Sequence, residues 1–413
     1  MCIRDRAKTF VTKRSPAGAF TDRRVYLDSA ASTAVRPEAL EVMLPFFSED
    51  FANPSANHSG GIRAAEALDQ ARQIVAEVLG GLSEEIVFTS GGTESINAAL
   101  KGAALAQVDA GAGNHVVTTE VEHHAVLHSA HYLERFGLDV ELLPVDKFGR
   151  VTPEDVAAAV RDDTVLVSVG YANNEVGTVQ PIAEIANAVK KRAIEYGRQI
   201  PFHTDAVQAA SSLPLDVDLL DVDLLSLSGH KFGGPKGTGV LYIRRGVPFL
   251  EQTSGGGQER QRRSGTENVP GLVGMATALQ LAQAEAEIFR IRTSMLRDRL
   301  LGLLKTSCPD AILNGHATER LSHNIHLCFP DVEGEALVAA LDTRGIECSA
   351  GAACTSATWE PSHVLLAMGI PLELAIGSLR ITLSPHHSDA DIDYVASELP
   401  SAVRRLREAD SPV

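Results

Sequence analysis

Residues Leu225 to Gly239 read Leu-Ser-Leu-Ser-Gly-His-Lys-Phe-Gly-Gly-Pro-Lys-Gly-Thr-Gly and set one lysine, Lys231, between an apolar strand pattern and a glycine-rich turn. A lysine held in such a place is desolvated, which disfavours the ammonium form, and a neutral amine is what condenses with an aldehyde. On spacing alone, an exposed lysine at a strand end explains the pattern equally well. Upstream, His203-Thr204-Asp205-Ala206-Val207-Gln208 follows the apolar residues Ile200 and Phe202, so Asp205 falls at the carboxyl end of a buried strand. Open α/β sheets carry their ligand-binding groups there. A carboxylate in that place can pair with the ring nitrogen of a pyridoxal phosphate whose aldehyde a lysine has taken, although a helix N-cap is the commoner use of an aspartate.

The same logic finds an anion cradle at Ile86-Val87-Phe88-Thr89-Ser90-Gly91-Gly92-Thr93-Glu94-Ser95, where a β-branched and aromatic run breaks into Ser-Gly-Gly-Thr before a helical pattern. Backbone N–H groups at a helix start suit a phosphate, Thr93 adds a hydroxyl donor, and glycine lets the backbone approach closely. Strand-to-helix turns also need glycine for geometry alone. The loop is neither a Walker loop nor a G-x-G-x-x-G fingerprint, which argues against a nucleotide.

Taken together, these motifs resemble the cysteine desulfurases, within the class V aminotransferases of fold-type I pyridoxal phosphate enzymes. The resemblance runs from about Val25 to about Ser384. It also rests on Tyr26-Leu27-Asp28-Ser29-Ala30-Ala31-Ser32-Thr33, Asn53-Pro54-Ser55 with His58, Glu122-His123, Ala172-Asn173-Asn174-Glu175-Val176-Gly177, Gly255-Gly256-Gly257-Gln258-Glu259 and Arg263-Ser264-Gly265-Thr266-Glu267-Asn268. A reactive thiol separates this family from ordinary aminotransferases. The matching stretch is Cys348-Ser349-Ala350-Gly351-Ala352-Ala353-Cys354-Thr355-Ser356, followed by Glu360-Pro361-Ser362-His363-Val364-Leu365. By resemblance Cys354 is the sulfur acceptor, and the small residues before it suit a loop that carries a thiol into a cleft and out again. A free thiol with a pKa of about 8.5 is only a few per cent thiolate at neutral pH, so such a site must lower that pKa or take the proton in place.

The resemblance implies a role for each matching residue. Lys231 holds the cofactor as an imine, Asp205 pairs with its ring nitrogen, Gln208 reaches its phenolic oxygen, and His123 stacks on the ring. Gly92, Thr93, Ser228 and His230 bind the phosphate, with Thr266 reaching the phosphate site of the neighbouring subunit. Asn174 and Arg380 hold the substrate carboxylate, a task that suits the planar fork of arginine. Read singly, Asn174 is equally a turn residue and His124 a solvated helix start. Arg380 lies inside the apolar alternation Leu379 to Leu383, which points to a buried partner. His58, His115, His123, His124, His128 and His131 are scattered without an H-E-x-x-H, so no metal is expected.

The implied reaction converts L-cysteine to L-alanine, leaving a persulfide on Cys354 that serves iron–sulfur clusters, thio-cofactors or tRNA thiolation. A homodimer is expected, with a sulfur-acceptor protein such as an iron–sulfur scaffold or a sulfur carrier as partner. The alternatives are a selenocysteine lyase or another class V aminotransferase, and an inactive sulfur-carrier scaffold. The intact set Lys231, Asp205, His123 and Cys354 speaks against the last.

The 413 residues, 44% of them hydrophobic, are enough for a large core split into two domains. The net charge of −16 and the lack of a basic block disfavour direct nucleic-acid binding or an anionic membrane surface. No apolar run approaches the length of about 18 residues that a membrane span needs. Five cysteines without a C-x-x-C pair or a secretory signal imply a reducing, cytoplasmic compartment. Cys348 is read as strand packing rather than as a redox partner.

Helical spacing covers Ile62–Leu79, Val126–Phe136, Pro153–Val160 and Ile182–Tyr196. Strand patterns fall at Ile86–Thr89, Val116–Thr119, Val140–Val145 and Thr164–Val169. This alternation predicts an α/β fold with a large, mainly parallel sheet, helices on both faces, and a smaller α/β domain. Residues 1–20 form an amino-terminal extension, in which Met1–Asp5 match the in-frame translation of a sequencing-library transposon end and carry no chemistry. Residues 21–268 form the large cofactor domain, its first residues packing with the small one. Residues 269–413 form a bridging helix, expected from Val269 to Leu304, and the small domain with the Cys354 loop.

Overall fold

The computed structural model describes residues 23–351 and 361–410. Cys354, Cys2 and the amino-terminal extension therefore lie outside the described residues. The strands are β1 (Val25–Tyr26), β2 (Ile86–Thr89), β3 (His115–Thr119), β4 (Asp139–Leu143), β5 (Thr164–Ser168), β6 (Phe202–Asp205), β7 (Leu224–Ser228), β8 (Gly239–Ile243), β9 (Ile312–Leu313), β10 (Asn324–Cys328), β11 (Ile346–Glu347) and β12 (Ser378–Thr382). The helices are α1 (Pro37–Met43), α2 (Pro45–Ser48), α3 (Ser59–Leu79), α4 (Gly92–Asp109), α5 (His124–Leu133), α6 (Pro153–Ala159), α7 (Ile182–Glu195), α8 (Gln258–Gln261), α9 (Val269–Ala284), α10 (Ala286–Ser307), α11 (Gly334–Asp342), α12 (His363–Ala367), α13 (Leu372–Ala375) and α14 (Asp389–Asp410).

Seven strands build the main sheet in the order β2-β8-β7-β6-β5-β3-β4. The run from β4 to β7 is parallel, and β8 lies antiparallel to both of its neighbours. The central strands are apolar on both faces because helices cover both. Phe88, Val117, Val167, Leu225 and Tyr242 point into one core with α3, α7 and α9. Their neighbours Val87, Val116, Leu166, Leu224 and Leu241 point into the other core, with α4 and α5. Each fully buried side chain of this kind contributes about 1.5–3 kcal/mol. The Ala- and Gly-rich face of α4 lets it lie close to the sheet. At Gly102 a β-carbon would stand 2.5 Å from the Phe249 ring.

Local signals account for the helix ends. The Nδ1 of His58 accepts from Gly61 N at the start of α3, which ends at Gly80 in a left-handed cap with φ 69°. Helix α5 begins two residues before the expected Val126, because His123 caps it by accepting from Ala125 N at 3.0 Å. The expected single helix from Val269 to Leu304 is two helices broken at Glu285, whose carboxylate is taken by Arg36 at 2.8 Å. The break lets α9 lie along α1 and α3 while α10 packs on α14.

A second core gathers Leu296, Leu300, Ile325, Phe329, Leu337, Leu379, Ile392 and Leu399 around the antiparallel sheet β12-β10-β9. Val25 and Leu27 join it, since β1 pairs in parallel with β11. Cys348 packs against this core and burial pushes its thiol up to about 12, as expected of a packing residue.

Candidate active site

The carboxyl ends of the parallel strands open into one cavity of about 630 Å³. Each strand end delivers a group to it: β2 the Ser90–Thr93 turn, β3 Glu122 and His123, β5 Gly170 to Asn174, β6 Asp205, and β7 Ser228, His230 and Lys231. This is the place that the topology of open α/β sheets reserves for ligands. Gln208 and Arg380 complete the wall. Of the residues expected in the site, Lys231, Asp205, Gln208, His123, Gly92, Thr93, Ser228, His230, Asn174 and Arg380 thus meet in one place. Thr266 is exposed and does not line the cavity of its own chain. The Cys354 expectation lies outside the described residues.

Lys231 follows β7 in a single 3-10 turn, Gly229–Lys231, and its Nζ donates to the carbonyls of Ala30 at 2.5 Å and Ala31 at 3.0 Å. The 28–33 segment is itself pinned from both domains. Ala30 N donates to Thr382 Oγ1 at 2.9 Å, Thr33 N donates to His230 O, and Gln208 Nε2 donates to Ala30 O at 3.1 Å. The charge of Lys231 shapes its neighbours. Burial first, and this charge second, push His123 down to about 4 and His230 to about 4, so both rings are neutral at physiological pH. Asp205 is half-buried in the cavity wall, and this desolvation pushes its carboxyl up to about 6, only partly offset by the Val207 N–H at 2.9 Å and by Lys231. A cationic ring beside it would reverse that shift.

The turn after β2 is shaped for a close-approaching anion. A β-carbon on Gly92 would meet Val207 Cγ2 at 2.9 Å and Ser228 Cβ at 3.2 Å. Gly92 and Thr93 fall in the first turn of α4, where N–H groups have no intrahelical acceptor. The cavity therefore offers an amine, a carboxylate, a neutral ring and an anion turn, which together fit pyridoxal phosphate.

Arg380 is 3% exposed, and its guanidinium is already engaged. One Nη donates to Asp28 Oδ1 at 2.8 Å, the other donates to Asn174 O at 3.1 Å, and Nε is buried without a partner. The partner is thus Asp28, which is half-buried and not the fully buried group expected.

Glu122 is a further site residue, one not assigned a role from sequence. Its Oε1 accepts from Thr119 Oγ1 at 2.8 Å and Gly170 N at 2.9 Å, and burial raises its carboxyl to about 7. The signal was its place between a buried strand and His123. His124 is the first residue of α5 and half-buried, with its ring 4.5 Å from that of His363. Among the described residues no cluster of histidine, cysteine, aspartate or glutamate could hold a metal, and no helix is long and apolar enough to cross a membrane.

Comparison with known proteins gives this site a family. The aminotransferase class-V family matches residues 25–395. The chain belongs to that family of enzymes. Within it, the chain groups with the cysteine desulfurases. The cysteine desulfurase IscS of Methanosarcina thermophila is 49% identical over 387 residues, covering 94% of this chain and 93% of the relative. A NifS-like protein of known structure superposes with a TM-score of 0.86 at 38% identity, over 93% of this chain and 100% of its own. A structure of SspA in complex with cysteine aligns with a TM-score of 0.75 at 36% identity, over 88% of this chain and 99% of the other.

Proposed function

We propose that this chain is a pyridoxal phosphate-dependent cysteine desulfurase that moves the sulfur of L-cysteine onto Cys354 and releases L-alanine. The observation that carries the reading is the convergence of Lys231, Asp205, His123 and the Gly92–Thr93 turn on one cavity at the strand ends. When bound, the cofactor supplies an electron sink for the substrate's α-carbon. Lys231 would hold it through its amine and would serve as base for the proton of that carbon. Asp205 would balance the ring nitrogen, neutral His123 would lie against the ring, and Ser228, His230, Gly92 and Thr93 would hold the phosphate. Arg380 and Asn174 grip the substrate carboxylate, with Arg380 exchanging part of its hold on Asp28 for it. The thiolate of Cys354 then takes the substrate sulfur. A sulfur–sulfur bond forms, the carbon–sulfur bond breaks, and its electron pair leaves with the carbon, which is protonated as alanine. Thiol and cysteine thus give persulfide and alanine with no outside oxidant.

The active form in this reading is a homodimer in a reducing, cytoplasmic setting, with a sulfur-carrier or scaffold protein as acceptor. In support, Cys308, Cys328 and Cys348 are free thiols. The test uses two variants. Lys231→Ala is expected to lose the visible absorbance of the bound cofactor. Cys354→Ser is expected to keep that absorbance and lose persulfide and alanine formation from cysteine by at least about a hundredfold, as removal of an essential nucleophile does. Alanine release at the parent rate in Cys354→Ser overturns the acceptor role.

A further inference from the structure

One charge in the anion turn has the wrong sign. Glu94 lies in the first turn of α4, lines the cavity, and sits one residue after Thr93. A carboxylate there repels the dianionic phosphate that the proposed function puts against Gly92 and Thr93. The structure answers it from a distant segment. Arg263 Nε donates to Glu94 Oε1 at 2.8 Å and its Nη2 donates to Oε2 at 3.2 Å, while Ser90 N donates to Glu94 Oε2 at 2.8 Å. Both oxygens of Glu94 are thereby turned to Arg263 and the Ser90 amide. Burial works to raise this carboxyl, and the Arg263 and Ser90 hydrogen bonds outweigh it, holding it below its ordinary value, so Glu94 stays ionised.

Arg263 is delivered by a segment rigid enough to aim it. Three consecutive residues without a glycine, Glu259, Arg260 and Gln261, have φ of 49°, 56° and 61°. A left-handed backbone crowds the β-carbon of such residues and needs a counterweight. Glu259 provides one by accepting from Arg72 Nη1 at 2.7 Å, Arg72 Nη2 at 2.8 Å and Phe88 N at 2.9 Å. Phe88 belongs to β2, so the segment grips the strand that leads into the cradle at one amide, while the Ser90 amide goes to Glu94.

We propose that Arg263 is a positioning residue for the phosphate end of the cofactor, cancelling and steering Glu94 so that the Ser90–Thr93 turn accepts a dianion. The inference rests on the proposed function, and binding measurements separate the two. The full-length chain, stripped of cofactor, is titrated with pyridoxal phosphate and with pyridoxal, which lacks the phosphate. Failure of the parent to bind pyridoxal phosphate would sink the functional reading itself. Given binding by the parent, Arg263→Gln is expected to weaken pyridoxal phosphate about tenfold or more, the scale of one uncancelled partly buried charge, and to leave pyridoxal unchanged. Adding Glu94→Gln to it should recover most of the loss. Equal loss for both ligands, no loss for either, or no recovery in the double variant overturns the proposal. If Arg263→Gln does not fold, Glu94→Gln alone decides. It removes the charge that Arg263 has to cancel and should bind pyridoxal phosphate at least as tightly as the parent, and a folded Glu94→Gln that loses about tenfold for pyridoxal phosphate alone also overturns it.

Discussion

A carboxyl group almost wholly buried at the cavity wall, with donors from Thr119 and Gly170 at only one oxygen, holds its proton past the usual range. For Glu122 the folded value of about 7 stands against an ordinary 4.5. As pH rises through that window, the unfolded chain gives up a proton that the folded chain keeps. Stability contributed by this group is therefore highest at or below the lower value, falls between the two, and stays low above the upper one, by about 3 kcal/mol in all. Glu122→Gln copies the protonated acid without its titration. In cofactor-free protein it should match the parent near pH 4.5 and exceed it near pH 8 by up to about 3 kcal/mol. Melting curves that run parallel across that range would rule out a protonated Glu122. At this scale the sequence is legible where chemistry and strand ends coincide, as at Lys231 and Asp205. It is opaque where burial alone decides the role, as at Glu122, and where partners are remote, as for Arg380 and Asp28, 352 residues apart.

Among the elements, β2 is the edge strand that carries the anion turn, and an edge strand leaves amides unpaired. Glu259 takes the Phe88 amide and pairs with Arg72 behind it, and the side chains of Arg72 and Glu259 are 6% and 1% exposed. Breaking a buried pair from one side leaves an uncompensated charge, so Glu259→Gln or Arg72→Met should cost about 3–5 kcal/mol. The exposed pair Arg244 with Asp218 makes the control, since Asp218→Asn should cost under about 1 kcal/mol. Urea midpoints for the three variants decide it, and a Glu259→Gln cost no larger than that of Asp218→Asn would deny the clamp any part in stability. Strands and helices were readable within a few residues because periodicity and caps are local properties. The left-handed run at Glu259 to Gln261 was not. Nothing in Gln-Glu-Arg-Gln marks a positive φ, and a contact with Arg72 far upstream imposes it.

Over the whole molecule, the sequence foretold a large sheet and a smaller domain, and the chain joins them twice, through α9 and α10 and through Val25 and Leu27 in the small-domain core. Thr266 is the residue this arrangement leaves unused. It follows the Arg263 anchor, is exposed, and lies outside its own cavity. If a second copy receives it, defects in Lys231 and Thr266 must complement each other across a dimer. In a hybrid of Lys231→Ala with Thr266→Ala, the site containing the intact lysine receives the intact threonine, while the other site carries both lesions. Random mixing makes about half of the dimers hybrid with one sound site in two, which restores about a quarter of the parent's sites. With cofactor near the parent's dissociation constant, alanine production by chains refolded together should exceed that of the same variants refolded separately and then mixed. Equal rates in the two preparations would place Thr266 either in its own chain's site or in none, because a threonine acting within its own chain leaves every hybrid site short of one group.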